Sequence, residues 1–107
     1  MLFEVLASDD FARDLKALAK KYPGIKRDIS ELTKQLISNP FQGQPIGKGC
    51  FKIRISITGK SKGKRGGGCI IAFVAITEEK VILIAIYDKS ETTNLSDALI
   101  RQRLDSI

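Results

Sequence analysis

The chain has no histidine among its 107 residues and two cysteines, Cys50 and Cys69. The first absence excludes histidine-based catalytic triads. Two thiols cannot complete a four-ligand zinc site, and neither a metal nor a cofactor is expected. No apolar run approaches the ~20 residues needed to cross a bilayer. The opening Met1-Leu2-Phe3-Glu4 lacks the basic region and long apolar stretch of a secretory signal. The expected compartment is the cytoplasm, with no membrane partner. Carboxylates are missing from one long segment. Between Lys48 and Arg65 there are seven basic residues and no acidic one.

What is present describes an ordinary folded chain. Apolar residues make up 43% of it, enough to argue against disorder. The length suits one domain, residues 1–107, with a single modest core. Net charge is +6, and the surplus sits largely in the Lys48–Arg65 segment. A cationic excess of this kind favours acidic partners, nucleic acid first among them.

Residues 2–7 read as a strand. Ser8 suits a helix N-cap, with Asp9 and Asp10 in the first turn, where the helix dipole favours carboxylates. Phe11, Leu15, Leu18, Ala19 and Tyr22 recur at helical spacing and end the first helix at Tyr22. Pro23 suits the first turn of a second helix, whose stripe is Ile25, Ile29, Leu32 and Leu36. Asn39-Pro40 stops it, and residues 38–49 read as a loop. Phe51, Ile53, Ile55 and Ile57 alternate with Lys52, Arg54, Ser56 and Thr58, a strand with one apolar and one cationic face. Cys69–Ile76 and Val81–Tyr87 are nearly continuous apolar runs about a Glu78-Glu79 turn, a hairpin of central strands. Asn94 or Ser96 caps a last helix over 95–106. The expected fold is α+β: a two-helix hairpin on a small, mainly antiparallel four-stranded sheet in the order β-α-α-β-β-β, with a short C-terminal helix.

The glycine-rich run Gly59–Gly68 connects two of these strands. Its backbone N–H groups and lysines suit a phosphate. It is not a Walker A loop, because the earlier glycine of that pattern falls at Arg54. A hairpin loop kept soluble by its charge fits the loop equally well. Lys52 and Arg54 share a sheet face, and Tyr87 and Lys89 close the last strand. If the strands lie in sequence order, these groups converge with the loop. Arginine for charge, lysine for proton transfer and tyrosine for hydrogen bonding can cleave RNA without histidine, by attack of a ribose 2′-hydroxyl on its own phosphate. Against this stands the plain alternative that Lys52 and Arg54 solubilise an exposed face. A Cys50–Cys69 disulfide is not expected. With Ile57 near Cys69, Cys50 lies ~23 Å down the strand, and a bridge needs Cα atoms within ~7 Å.

The order of elements, Lys52-Ile-Arg54, the loop ending Lys64-Arg65-Gly66-Gly67, and Ile86-Tyr87-Asp88-Lys89-Ser90-Glu91 followed by Asn94-Leu95-Ser96 together resemble the RelE/ParE superfamily of toxins from type II toxin–antitoxin pairs. The likeness is greatest to the HigB-like/RelE-like branch. The resemblance implies a RelE-like microbial ribonuclease fold. It also implies an mRNA interferase, an endoribonuclease acting on mRNA at translating ribosomes and held inactive by a cognate antitoxin, typically of helix-turn-helix type. By position, Arg54, Lys64, Arg65, Tyr87 and Lys89 match the family's active-site positions, with Lys48, Lys52, Lys60 and Lys62 as RNA-binding cations. The pattern departs at Cys69, which stands where an arginine for the scissile phosphate is expected. Losing that group costs about 2–4 kcal/mol of transition-state stabilisation, by analogy with an oxyanion donor. Three readings follow: an mRNA interferase; a catalytically weakened relative acting as an antitoxin-binding or nucleic-acid-binding module; and a generic basic nucleic-acid-binding domain.

Overall fold

Ser8 sets the first helix. Its hydroxyl accepts the N–H of Phe11 at 3.1 Å, which fixes the start of α1 (Asp9–Lys21) directly after β1 (Glu4–Ala7). The computed structural model describes residues 2–60, 67–92 and 94–107. Tyr22 caps α1 through its own N–H on the Leu18 carbonyl. Pro23 and Gly24 then turn the chain into α2 (Ile25–Ser38). Pro23 therefore lies in the turn rather than in the first turn of the helix. Asn39 caps α2, as Asn39-Pro40 led one to expect.

Four further strands and a helix follow: β2 (Gln44–Gly47), β3 (Cys50–Ile55), β4 (Gly68–Ala75), β5 (Lys80–Asp88) and α3 (Asp97–Asp105). Among the described residues they form one five-stranded sheet with β1, in the order β1-β5-β4-β3-β2. The β1–β5 pairing is parallel and the rest antiparallel. The α+β class holds, with one correction: the expected four strands are five. The additional strand, β2, lies inside the segment read as a loop. Lys48 and Gly49, both at positive φ, form the tight turn that folds β2 back on β3. Two positive φ values in a two-residue connection match the twist of a hairpin. A Cβ on Gly49 would lie 2.9 Å from the Phe73 ring, so the position takes glycine on both counts.

The helical hairpin covers one sheet face. Phe11, Ile25, Ile29, Leu32 and Leu36 pack there against Ile53, Ile57, Ile70, Ala72, Val81, Leu83 and Ile86. Burying each large side chain is worth about 1.5–3 kcal/mol, so this layer supplies most of the folding drive. The opposite face carries Cys50, Cys69, Ile71, Ile84, Ala85 and Tyr87, closed over by Ile100 of α3. Ser96, rather than Asn94, caps that helix, accepting from Leu99 N–H at 3.1 Å. Coverage of both faces explains the continuous apolar character of β4 and β5.

One irregularity changes which residues face where. Ile71 pairs with Ala85 but Ala72 pairs with Leu83, so β5 carries an extra residue at Ile84. This bulge places the consecutive residues Ile84 and Ala85 in the same cluster. It falls just beyond Leu83, the last β5 residue paired to β1. There Arg103 of α3 donates to the Ile84 carbonyl at 2.9 Å, while Ile86 N–H donates to Asp14 of α1 at 3.4 Å. Arg103 and Asp14 are themselves paired at 2.5 Å. An ion pair from two helices thus serves backbone groups that a longer β1 would have taken.

Candidate functional site

The register of β3 on β4 decides the site. Arg54 pairs with Cys69, and Cys69 pairs with Tyr87. Directly opposed residues in antiparallel strands project from the same face. Arg54, Cys69 and Tyr87 therefore form one row across three strands, on the face that α3 partly covers. Arg54 is exposed, Cys69 is 0% exposed and Tyr87 is 8% exposed. The two outer backbones are about 10 Å apart at ordinary strand spacing. Cys69 had been expected near Ile57; the strand instead ends at Ile55, so Arg54 takes that place. Cys50 lies opposite Phe73, away from Cys69, and both thiols are free, as expected; both are also buried.

Two residues along the strands lies a second row, Lys52–Ile71–Ala85. Lys52 Nζ donates to Asn94 Oδ1 at 2.7 Å. This contact joins β3 to the segment before α3. Between them runs a groove of about 190 Å³, lined by Ile46, Lys52, Ile71, Tyr87, Leu95 and Asp97 among others. Its size suits a single small fragment rather than a drug-sized ligand.

Burial pushes the Tyr87 phenol up to about 12, the neighbouring Cys69 adds to the rise, and the Arg54 guanidinium pulls the other way. At neutral pH Tyr87 is accordingly a neutral O–H, able to donate a hydrogen bond or a proton. Asp88, the next residue, turns to the other face. Burial raises its carboxyl, but the Lys60 ammonium and two hydrogen bonds from Ser90 outweigh that and bring it down to about 2. Lys60 Nζ lies 2.5 Å from Asp88 Oδ1, the two side chains 11% and 0% exposed. Lys60, expected as an RNA-binding cation, has its ammonium engaged by Asp88 in this structure.

The two roots of the basic loop are tied down. Thr58 gives both its N–H and its hydroxyl to the Asp28 carboxylate, at 2.7 and 2.6 Å. On the return side, Lys89 N–H donates to the Gly67 carbonyl at 3.1 Å. A Cβ on Gly67 would come within 2.4 Å of the Ile55 carbonyl, and one on Gly68 within 3.0 Å of the Tyr87 carbonyl. These glycines permit close packing of strands, a reason internal to the sheet.

Of the residues singled out in the sequence, Arg54, Tyr87 and Lys52 come together on one face, and Lys89 follows Tyr87 at the end of β5. Lys48 is at the β2–β3 turn, about 20 Å from Arg54 along the strand. Lys62, Lys64 and Arg65 lie outside the described residues. Asn94 and Asp88 gained roles that sequence reading had not given them. Asp88 carried a signal, since an aspartate two residues before a serine in a turn commonly accepts its backbone N–H. Its pairing with Lys60, 28 residues away, carried none.

No family model matches this sequence, and no curated protein matches it either. In three dimensions the chain is similar to the E. coli toxin RelE, seen in its free state with two arginines replaced by alanine. The TM-score is 0.65 at 15% sequence identity, covering 94% of this chain and 98% of that one. The fold is therefore RelE-like. Among the described residues no helix is long and apolar enough to cross a membrane.

Proposed function

We propose that this protein is a cytoplasmic toxin of the RelE-like type, closest to the HigB-like branch, that cleaves mRNA on translating ribosomes and is restrained by a cognate antitoxin of helix-turn-helix type. The observation that carries the reading is the Arg54–Cys69–Tyr87 row on a RelE-like fold. A phosphodiester laid over Cys69 has a guanidinium on one side and a neutral phenol on the other. Arg54 stabilises the charge that builds on the phosphorane. Tyr87 donates its proton to the departing 5′-oxygen, and a lysine, Lys64 or Lys89, reacting as its neutral amine, takes the proton of the attacking 2′-hydroxyl. The products are a 2′,3′-cyclic phosphate and a 5′-hydroxyl. Arg65 serves as a further phosphate ligand, and Lys48, Lys52 and Lys62 meet flanking phosphates.

The test is induced expression followed by growth and primer-extension mapping of transcripts. Arrest with new 5′ ends inside coding regions is expected, and alanine at Arg54, Arg65 or Lys89 should restore growth. Normal growth with intact transcripts, from protein shown to be folded, would leave a RelE-like binding module in its place.

A further inference from the structure

Among the described residues, Asp88 is the most connected side chain near the site. Its Oδ1 accepts from Lys60 Nζ at 2.5 Å, from Ser90 N–H at 2.9 Å and from the Ser90 hydroxyl at 2.8 Å. Its Oδ2 is 3.5 Å from the Tyr22 hydroxyl. Its backbone carbonyl accepts the N–H groups of Glu91 and Thr92, at 3.0 and 2.9 Å. One enclosed residue thus gathers α1, the entry of the basic loop, the end of β5 and the turn that follows. Tyr87 precedes it and Lys89 follows it. Lys89 is bonded in turn to Gly67, where the chain leaves that loop.

A buried ion pair is a poor way to gain stability. Its desolvation offsets most of its attraction, and an apolar pair of similar volume often does as well. It is a good way to fix geometry, because either partner alone in a closed site is costly. Lys60 also has a second contact, with the Ser90 hydroxyl at 3.3 Å. The ammonium therefore bridges loop and turn.

We propose that Asp88 and Lys60 are positioning residues for RNA cleavage, holding Tyr87 and Lys89 in place against the roots of the basic loop. This rests on the ribonuclease reading above and deepens it. Neither residue touches the RNA. Tyr87 projects from the α3 face, whereas the ion pair is built on the opposite side, beside Tyr22. What the pair supplies is the relation between the proton donor on β5, the lysine after it and the cations entering from β3.

The experiment compares Asp88→Asn, Lys60→Gln and the double variant in single-turnover cleavage of ribosome-bound mRNA. Each single variant leaves one charge at the hub without its counter-ion, whereas the double variant leaves a neutral amide pair. A misplacement of about an ångström is enough to slow each single variant between tenfold and roughly a hundredfold. The concentration of ribosome complex for half-saturation should stay unchanged, and the double variant should recover most of the lost rate. A double variant as slow as Lys60→Gln would mean that the lysine charge acts on RNA directly, and would overturn the proposal. Folded single variants cleaving at the wild-type rate would overturn it as well. Should Asp88→Asn fail to fold, Lys60→Gln and the double variant carry the comparison. Exchange of the Lys89 amide gives a readout without RNA: faster in the single variants, restored in the double. Wild-type protein that cleaves nothing would end the ribonuclease reading, and this exchange pattern would then decide alone whether the pair holds the turn.

Discussion

Arg54 and Tyr87 stand on the same sheet face, two strands apart, each in direct register with Cys69. That relation assigns separable roles to them. Arg54 is exposed and offers charge, whereas Tyr87 is buried and offers a proton. Tyr87→Phe should lower the cleavage rate by 10²-fold or more, as expected for a removed general acid, with RNA affinity unchanged. Arg54→Ala should lower both rate and affinity, and should also reduce the salt dependence of RNA binding by about one counterion. Filter binding across a salt series separates the two. Equal loss of affinity in both variants would contradict the assignment.

Cys69 occupies the place where the resemblance leads one to expect arginine, and the sheet gives a reason not to restore one. The residue is 0% exposed and flanked by Arg54 and Tyr87. Cys69→Arg would have to overpack the layer under α3, at about 1–3 kcal/mol, and would set a second guanidinium beside Arg54. The variant should melt well below wild type, and a gain in cleavage is expected only if α3 lifts to admit the side chain. Cys69→Ala, which keeps the floor small and uncharged, should cleave normally. Thermal melts with cleavage assays on both variants test this, and a Cys69→Arg protein as stable as wild type would refute it.

Much of the layer beneath the site could be read directly. The stripes of α1 and α2, the Ser8 cap and the alternation in β3 are periodic or local signals, and each has its counterpart in the fold. β2 could not be read this way. Gln44-Pro-Ile-Gly47 has one strand former, Ile46, set between a proline and a glycine, and it pairs because the Lys48-Gly49 turn delivers it to β3. The Ile84 bulge was hidden for the opposite reason: a strand apolar on both faces has no alternation to slip. The partner of Cys69 depended on where a glycine-rich loop begins, which periodicity does not mark. Lys60 looked like its neighbours, because a cation in a basic loop gives no sign of a carboxylate 28 residues on.

Tyr87 and Asp88 place opposite limits on stability. For Tyr87 the folded value near 12 exceeds the ordinary 10, so the native state holds its proton more tightly than the unfolded chain does. Its contribution is complete below pH 10 and is lost as pH rises toward 12, roughly 3 kcal/mol in all. For Asp88 the folded value near 2 lies below the ordinary 3.8. That contribution, of about 2 kcal/mol, is complete above pH 4 and is lost as pH falls toward 2. Urea denaturation across pH should show both limbs. Asp88→Asn should remove most of its share of the acid limb and leave the alkaline one, whereas Tyr87→Phe should do the reverse.

The Arg103–Asp14 pair makes a prediction about the far side of β5. Beyond Leu83 that strand has no β1 residue beside it, yet its Ile84 carbonyl and Ile86 N–H are both engaged, by Arg103 and Asp14. The two side chains are partly exposed, 18% and 25%, so solvent screens their mutual attraction. Most of the effect of Arg103→Ala should therefore come from the charge-assisted bond to the Ile84 carbonyl, about 1.5–3 kcal/mol. Asp14→Asn keeps an acceptor for Ile86 and should cost less. Loss of Arg103 should also loosen α3, because that side chain is the polar tie between the helix and the strand it covers. Amide exchange should then rise along α3 and at Ile86 while α2, on the other face, stays protected. Uniform loss of protection across the whole sheet would show instead that the pair supports global stability and is no local tie.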